Sequence, residues 1–187
     1  MQKIRKPRRK TGYNMEIEKK YLIKEIPIEL DNYHYVDMEQ AYISVSPVIR
    51  VRKADDRFIL TVKSKGLLAR EEFELDISES EYKNLLKKAE GNIISKRRYI
   101  IPLNDTEGTT GDRTVDKDLK IELDVFNAPY YGLIYAEVEF PTESAAKTFR
   151  PPSWFKKEVT YDPTYHNSNL SRMYKSDIDN FMNDLLI

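Results

Sequence analysis

Segment after segment of this chain alternates apolar and charged side chains, and a period of two is the mark of strands with two unlike faces. The pattern predicts strands over 15–21, 40–45, 48–53, 58–65, 70–77, 93–101, 119–126 and 133–140, with a shorter one at 158–161. One helix interrupts them. Ser78 with Glu81 three residues later reads as a capping box, and the helix runs through Tyr82, Leu85, Leu86 and Ala89 to stop at Gly91. Short helices are expected over 142–149 and 176–186, and the Gly-, Thr- and Asp-rich stretch 104–118 reads as a mobile polar loop. The fold class is mainly β with a few helices (α+β), and 187 residues suit one domain, placed at 15–187.

The two faces differ in kind. One carries Ile17 and Tyr21, Ile49 and Val51, Leu60 and Val62, Phe73 and Leu75, Ile121, Leu123 and Val125, then Val138 and Phe140. The other carries Glu16, Glu18 and Lys20, Arg50 and Arg52, Lys63, Arg70, Glu72 and Glu74, Lys96 and Arg98, Glu122 and Asp124, then Glu137 and Glu139. For a single strand, an antiparallel sheet with one wet face explains this fully. Seven strands of almost pure charge strain that explanation, because like charges at neighbouring cross-strand positions repel. The other reading is a closed antiparallel tunnel of about eight strands with the charges pointing inward and helices packed outside. Buried ions cost several kcal/mol each unless paired or coordinated, so such a lumen implies a highly charged ligand. On the residues alone the two readings stand side by side.

Composition removes many chemistries. With no cysteine there is no disulfide, thiolate metal site or cysteine nucleophile, and His34 and His166 are too few for a histidine zinc cluster. No glycine precedes a lysine, which excludes the phosphate-binding loop of P-loop enzymes. Neither an 18-residue apolar run nor a secretory signal is visible, so no membrane span and a cytoplasmic location are expected. Basic and acidic residues balance at 31 each, but six of the bases and none of the acids fall in 1–14, leaving 25 against 31 over 15–187. That basic segment is read as a flexible extension rather than a nucleic-acid arm, and no nucleic-acid partner is expected.

What remains is chemistry of paired charges. Carboxylates two apart on a strand point the same way and suit a hard cation: Glu16 with Glu18, Glu137 with Glu139, Glu122 with Asp124. Basic residues at the same spacing, Arg50 with Arg52 and Lys96 with Arg98, suit phosphate oxygens. Together they describe metal-assisted phosphoryl transfer to water.

These residues also resemble a known family. Glu16-Ile17-Glu18-Lys19-Lys20 is similar to the E-x-E-x-K signature of the CYTH superfamily, the triphosphate tunnel metalloenzymes. Its further motifs are matched in order by Gln40 to Ile43, Val48 to Arg52, Leu60 to Lys63, Arg70 to Glu74, Lys96 to Tyr99, Glu122 to Phe126, Ala136 to Phe140 and Lys157 to Thr160, within the span 15–173. The resemblance implies an eight-stranded antiparallel tunnel that hydrolyses a small-molecule triphosphate, most simply inorganic tripolyphosphate, with Mg²⁺ or Mn²⁺. It implies metal ligation by Glu16 and Glu18 with carboxylates among Asp124, Glu137 and Glu139. Phosphates would be held by Lys20, Arg50, Arg52, Lys63, Lys96 and Arg98, with Lys20 also orienting the attacked phosphoryl group. Glu72 and Glu74 would serve a second metal or the water, or pair with the lysines. Adenylate cyclase, thiamine triphosphatase, nucleoside triphosphatase and a non-catalytic polyphosphate-binding module are the alternatives. Trp154 and Phe155 are expected to pack outside the tunnel, where an apolar strip would be the place for two copies to pair.

Overall fold

The computed structural model describes residues 11–26 and 29–185, and it realises the tunnel. Strands β1 (Thr11–Ile23), β2 (His34–Val45), β3 (Val48–Ala54), β4 (Arg57–Lys63), β5 (Ala69–Ile77), β6 (Glu90–Pro102), β7 (Lys120–Phe126) and β8 (Ile134–Glu139) close into an antiparallel barrel. Around it the order is β1-β5-β4-β3-β2-β6-β7-β8 and back to β1. A ninth strand, β9 (Phe155–Glu158), adds to β1 outside the ring. β1 is the closing strand: its first half pairs with β5 and its second half with β8 and β9.

Closure explains the charge pattern. The outward apolar side chains of β1, β7 and β8 pack under α3 (Glu143–Thr148), Phe149, Trp154 and Phe155, with Ile17, Tyr21, Ile121, Leu123 and Val138 buried there. On the opposite side Val51, Phe58 and Leu60 pack under α1 (Glu79–Leu86), whose capping box through Ser78 and Glu81 forms as expected. Trp154 and Phe155 do pack outside the barrel.

A third apolar cluster lies elsewhere. Leu22, Tyr42, Ile94, Phe126 and Tyr135 are inward-facing residues at one end of the barrel, and they are sealed by Leu170, Ile178 and Phe181. The last three come from α4 (Asn167–Leu170) and α5 (Lys175–Leu185), so the C-terminal helices close one end of the lumen. Gly91 permits the join: at φ +80°, its backbone lies so near the Ser171 carbonyl that a Cβ would fall 2.1 Å from that oxygen.

Three expectations are corrected. β1 begins at Thr11 rather than residue 15, because Thr11–Asn14 continue the ladder against Leu75–Glu72 of β5; residues 1–10 lie outside the described residues. β9 spans Phe155–Glu158 rather than 158–161, since buried Phe155 supplies its apolar anchor while Tyr161 is exposed. Stretch 104–118 is not merely a loop. It carries α2 (Arg113–Asp116), and buried Asp116 accepts hydrogen bonds from the Thr110 N–H at 2.7 Å and hydroxyl at 2.6 Å, while Thr109 and Arg150 bond backbone to backbone. Among the described residues no helix is long and apolar enough to cross a membrane.

Candidate active site

Above the apolar seal the lumen is a cavity of about 850 Å³ lined mainly by charged side chains. Strand alternation puts Glu16, Glu18 and Lys20 of β1 on its wall with Arg50 and Arg52 of β3, Lys63 of β4, Arg70, Glu72 and Glu74 of β5, Lys96 and Arg98 of β6, Glu122 of β7, and Glu137 and Glu139 of β8. Every sequence-derived site residue except Asp124 lines this one space. Asp124 is fully buried behind it, its oxygens taken by Lys96 and by Arg98 at 2.6 and 2.7 Å. As placed it anchors two cations rather than facing the cavity.

The charges satisfy one another in two networks. In the first, Glu16 accepts from Lys63 Nζ at 2.7 Å and from Arg70 Nε at 2.7 Å; Lys63 also meets Glu72 at 2.8 Å, and Arg52 meets Glu74 at 2.8 Å. In the second, Arg98 forks between Asp124, Glu122 and Glu137, and Lys20 meets Glu137 at 2.8 Å. Burial alone would push the Glu16 and Glu137 carboxyls up, but Lys63 and Arg70 for one, and Lys20, Arg98 and Lys96 for the other, hold both well below the usual range.

Glu18 and Glu139 belong to neither network. They sit directly opposite each other on the β1–β8 ladder, and neither carboxylate makes a hydrogen bond or ion pair among the described residues. Burial, with Glu137 and Glu16 beside it, pushes Glu18 up to about 7; burial, Glu16 and Glu122 raise Glu139. Glu72 is likewise raised to about 7, by burial and then by Glu16, against the pull of Lys63. On the basic side, burial and the neighbouring Arg98 bring Lys96 down to about 8 despite Asp124, and burial with Arg50 brings Arg52 to about 10. Nε of Arg50 and of Arg52 are buried without a hydrogen-bond partner, leaving unspent donors on β3.

Among the described residues no three His, Asp or Glu side chains are yet gathered closely enough to hold a metal ion. Glu16 is held by Lys63 and Arg70, and Glu137 by Lys20. The donor set is nonetheless all oxygen, with Glu18 and Glu139 uncommitted, which fits a hard divalent cation.

Several lumen residues were not assigned to the site from sequence. Arg70 was placed on the charged face with Glu72 and Glu74 but given no role there. Gln40 and Tyr42, bonded to each other at 2.9 Å, are polar without charge, and His166, Asn167 and Ser168 reach the cavity from α4, outside any strand pattern.

No family model matches the chain. The inorganic triphosphatase of Nitrosomonas europaea is 35% identical over 159 residues, covering 83% of this chain and 96% of that protein. The inorganic triphosphatase of Acetivibrio thermocellus is 35% identical over 163 residues, covering 83% of this chain and 92% of that protein. Among solved structures, the inorganic triphosphatase NE1496 superposes with a TM-score of 0.60 at 31% identity, over 85% of this chain and 95% of that one. The ordered tunnel motifs, the closed charged lumen and these relatives agree, and the chain belongs to the inorganic triphosphatase family of the CYTH superfamily.

Proposed function

We propose that this protein hydrolyses inorganic tripolyphosphate to diphosphate and phosphate inside the lumen, with Mg²⁺ or Mn²⁺ as cofactor. The observation that carries the reading is the division of the lumen between unpaired carboxylates on β1 and β8 and arginines with unspent donors on β3. The family relatives support it by name.

Arg50, Arg52, Lys63, Lys96 and Arg98 hold the phosphate chain, arginine by its fork and lysine as a point charge. Lys20, beside Glu18 and Glu137, orients the phosphoryl group under attack. Glu16, Glu18, Glu137 and Glu139 are the residues that would hold the divalent cation; bound there it would neutralise phosphate charge and lower the pKa of water. Glu72, titrating near 7, is suited to accept the proton of the attacking water, while Glu74 keeps Arg52 in place. Entry of phosphate loosens the carboxylates from their lysines, and the networks exchange one set of partners for another.

The test is phosphate release from tripolyphosphate, ATP and thiamine triphosphate, each with Mg²⁺, Mn²⁺ or chelator. Metal-dependent release fastest on tripolyphosphate is expected. Turnover that persists in chelator, or a preference for either organic triphosphate, would overturn the assignment.

A further inference from the structure

Where the seal at the end of the lumen meets charge, it is aromatic. Tyr135 and Phe126, 0% and 1% exposed, lie edge to face with ring centroids 5.1 Å apart. Lys20 Nζ stands over the Tyr135 ring, 5.4 Å from its centroid, and Lys96 Nζ over the Phe126 ring at 5.5 Å. At such distances the negative face of a ring attracts an ammonium group. Strand register makes the arrangement: Lys96 of β6 is opposite Phe126 of β7, and Leu22, two residues on from Lys20 in β1, is opposite Tyr135 of β8. Tyr165 and Tyr130 make further edge-on contacts with the two rings, at 6.1 and 6.4 Å, which fix their planes.

Closing the lumen needs only apolar volume, and aliphatic side chains would supply it. Two buried ammonium groups need more. Each has lost its water, and each meets one carboxylate among the described residues, Glu137 for Lys20 and Asp124 for Lys96. A ring face attracts such a cation without setting a second negative charge where phosphate has to come. The difference matters most for Lys20, because Glu137 is among the residues that would hold the divalent cation, and a lysine that gives up Glu137 keeps the ring. The Tyr135 hydroxyl has no hydrogen-bond partner among the described residues, so this position contributes its ring rather than its oxygen.

We propose that Tyr135 and Phe126 are positioning residues, whose rings hold the Lys20 and Lys96 ammonium groups in the lumen wall for the phosphate chain. The inference rests on the triphosphatase reading of the same lumen.

The experiment is calorimetric binding of tripolyphosphate in chelator, with steady-state hydrolysis beside it. Tyr135→Leu should raise Kd and KM about 10-fold, with a smaller fall in kcat, and Tyr135→Phe, which keeps the ring, should bring both back to within about twofold of wild type. In a Lys20→Met background the Leu change should alter Kd by less than about twofold, since the ring acts through the ammonium group. Phe126→Leu with Lys96→Met is the parallel cycle. Where a Leu variant fails to fold by circular dichroism, fluorinated phenylalanines placed at 135 or 126 keep the ring's shape while weakening its negative face, and Kd should climb with each added fluorine. A folded Leu variant that binds like wild type, a loss of equal size with and without the lysine, or a flat fluorine series overturns the proposal. Wild type that binds tripolyphosphate without hydrolysing it overturns the proposed reaction alone, since the effect of the rings is still read from binding. Wild type that does neither overturns both.

Discussion

Glu18 and Glu139 face each other across the β1–β8 ladder with no cation bonded to either, in a lumen where the other carboxylates have basic partners. Like charges directly opposite in a sheet destabilise it. The pair is thus the point at which the empty tunnel is least content and a divalent cation most useful.

Replacing one of the two should separate stability from metal affinity. Glu18→Gln removes the repulsion, so in chelator the variant should melt at the wild-type temperature or above. The same change should weaken activation by Mg²⁺ or Mn²⁺ about 10-fold or more. Unaltered metal dependence would remove Glu18 from the metal site.

The raised carboxyls set a direction for stability against pH. A Glu titrating near 4.5 unfolded and near 7 folded binds its proton more tightly in the native state. Its contribution is complete below about 4.5 and is lost as pH rises through 7. Thermal melting in chelator should accordingly decline between pH 5 and 7.5, from Glu18 and Glu72, and divalent metal should restore most at the upper end. A melting temperature that rises over this range in chelator would contradict the assignment.

Asp124 is predicted to be structural in a strong sense. Asp124→Asn leaves Lys96, 2% exposed, and Arg98 without their shared anion in the barrel wall. Removing one partner of such a buried set costs about 3–5 kcal/mol. Urea unfolding should show a loss of that order.

Asp116 tests the hydrogen-bonded structure of the 104–118 segment. Its carboxylate receives the Thr110 N–H and the hydroxyls of Thr109 and Thr110, so Asp116→Ala strands three donors. A loss of about 1–3 kcal/mol is expected in thermal or urea unfolding, with turnover per folded molecule preserved because no lumen residue is touched. An unchanged melting temperature would return this stretch to the status of a loose loop.

Glu16→Gln probes the first network. It should reduce hydrolysis by about 100-fold or more while the fold persists, because Lys63 keeps Glu72 as a partner. Undiminished turnover would sink the assignment of Glu16 to the metal.

Strand parity was legible residue by residue. From Glu16, Glu18 and Lys20 to Glu137 and Glu139, alternation alone says which side chains share a face, because successive side chains point oppositely whatever the sheet then does. The capping box at Ser78 was equally plain, being a local hydrogen-bond pattern. Whether the charged face looks onto water or into a lumen was not local: it depends on Thr11–Ile17 finding Ala69–Leu75 across the ring, a pairing between residues far apart in sequence. The same holds for partners within the lumen. Carboxylates of one charged face end as a buried anchor at Asp124, a doubly paired clamp at Glu16 and an unpaired couple at Glu18 and Glu139, according to which cations the closed ring brings within reach. Asn167 shows the limit most clearly, since no periodic pattern marks it and only the packing of α4 over the barrel's end brings it to the lumen wall. Alternation is a property of the chain's covalent geometry, whereas enclosure and ion pairing are properties of distance, and distance is settled only when the ring closes.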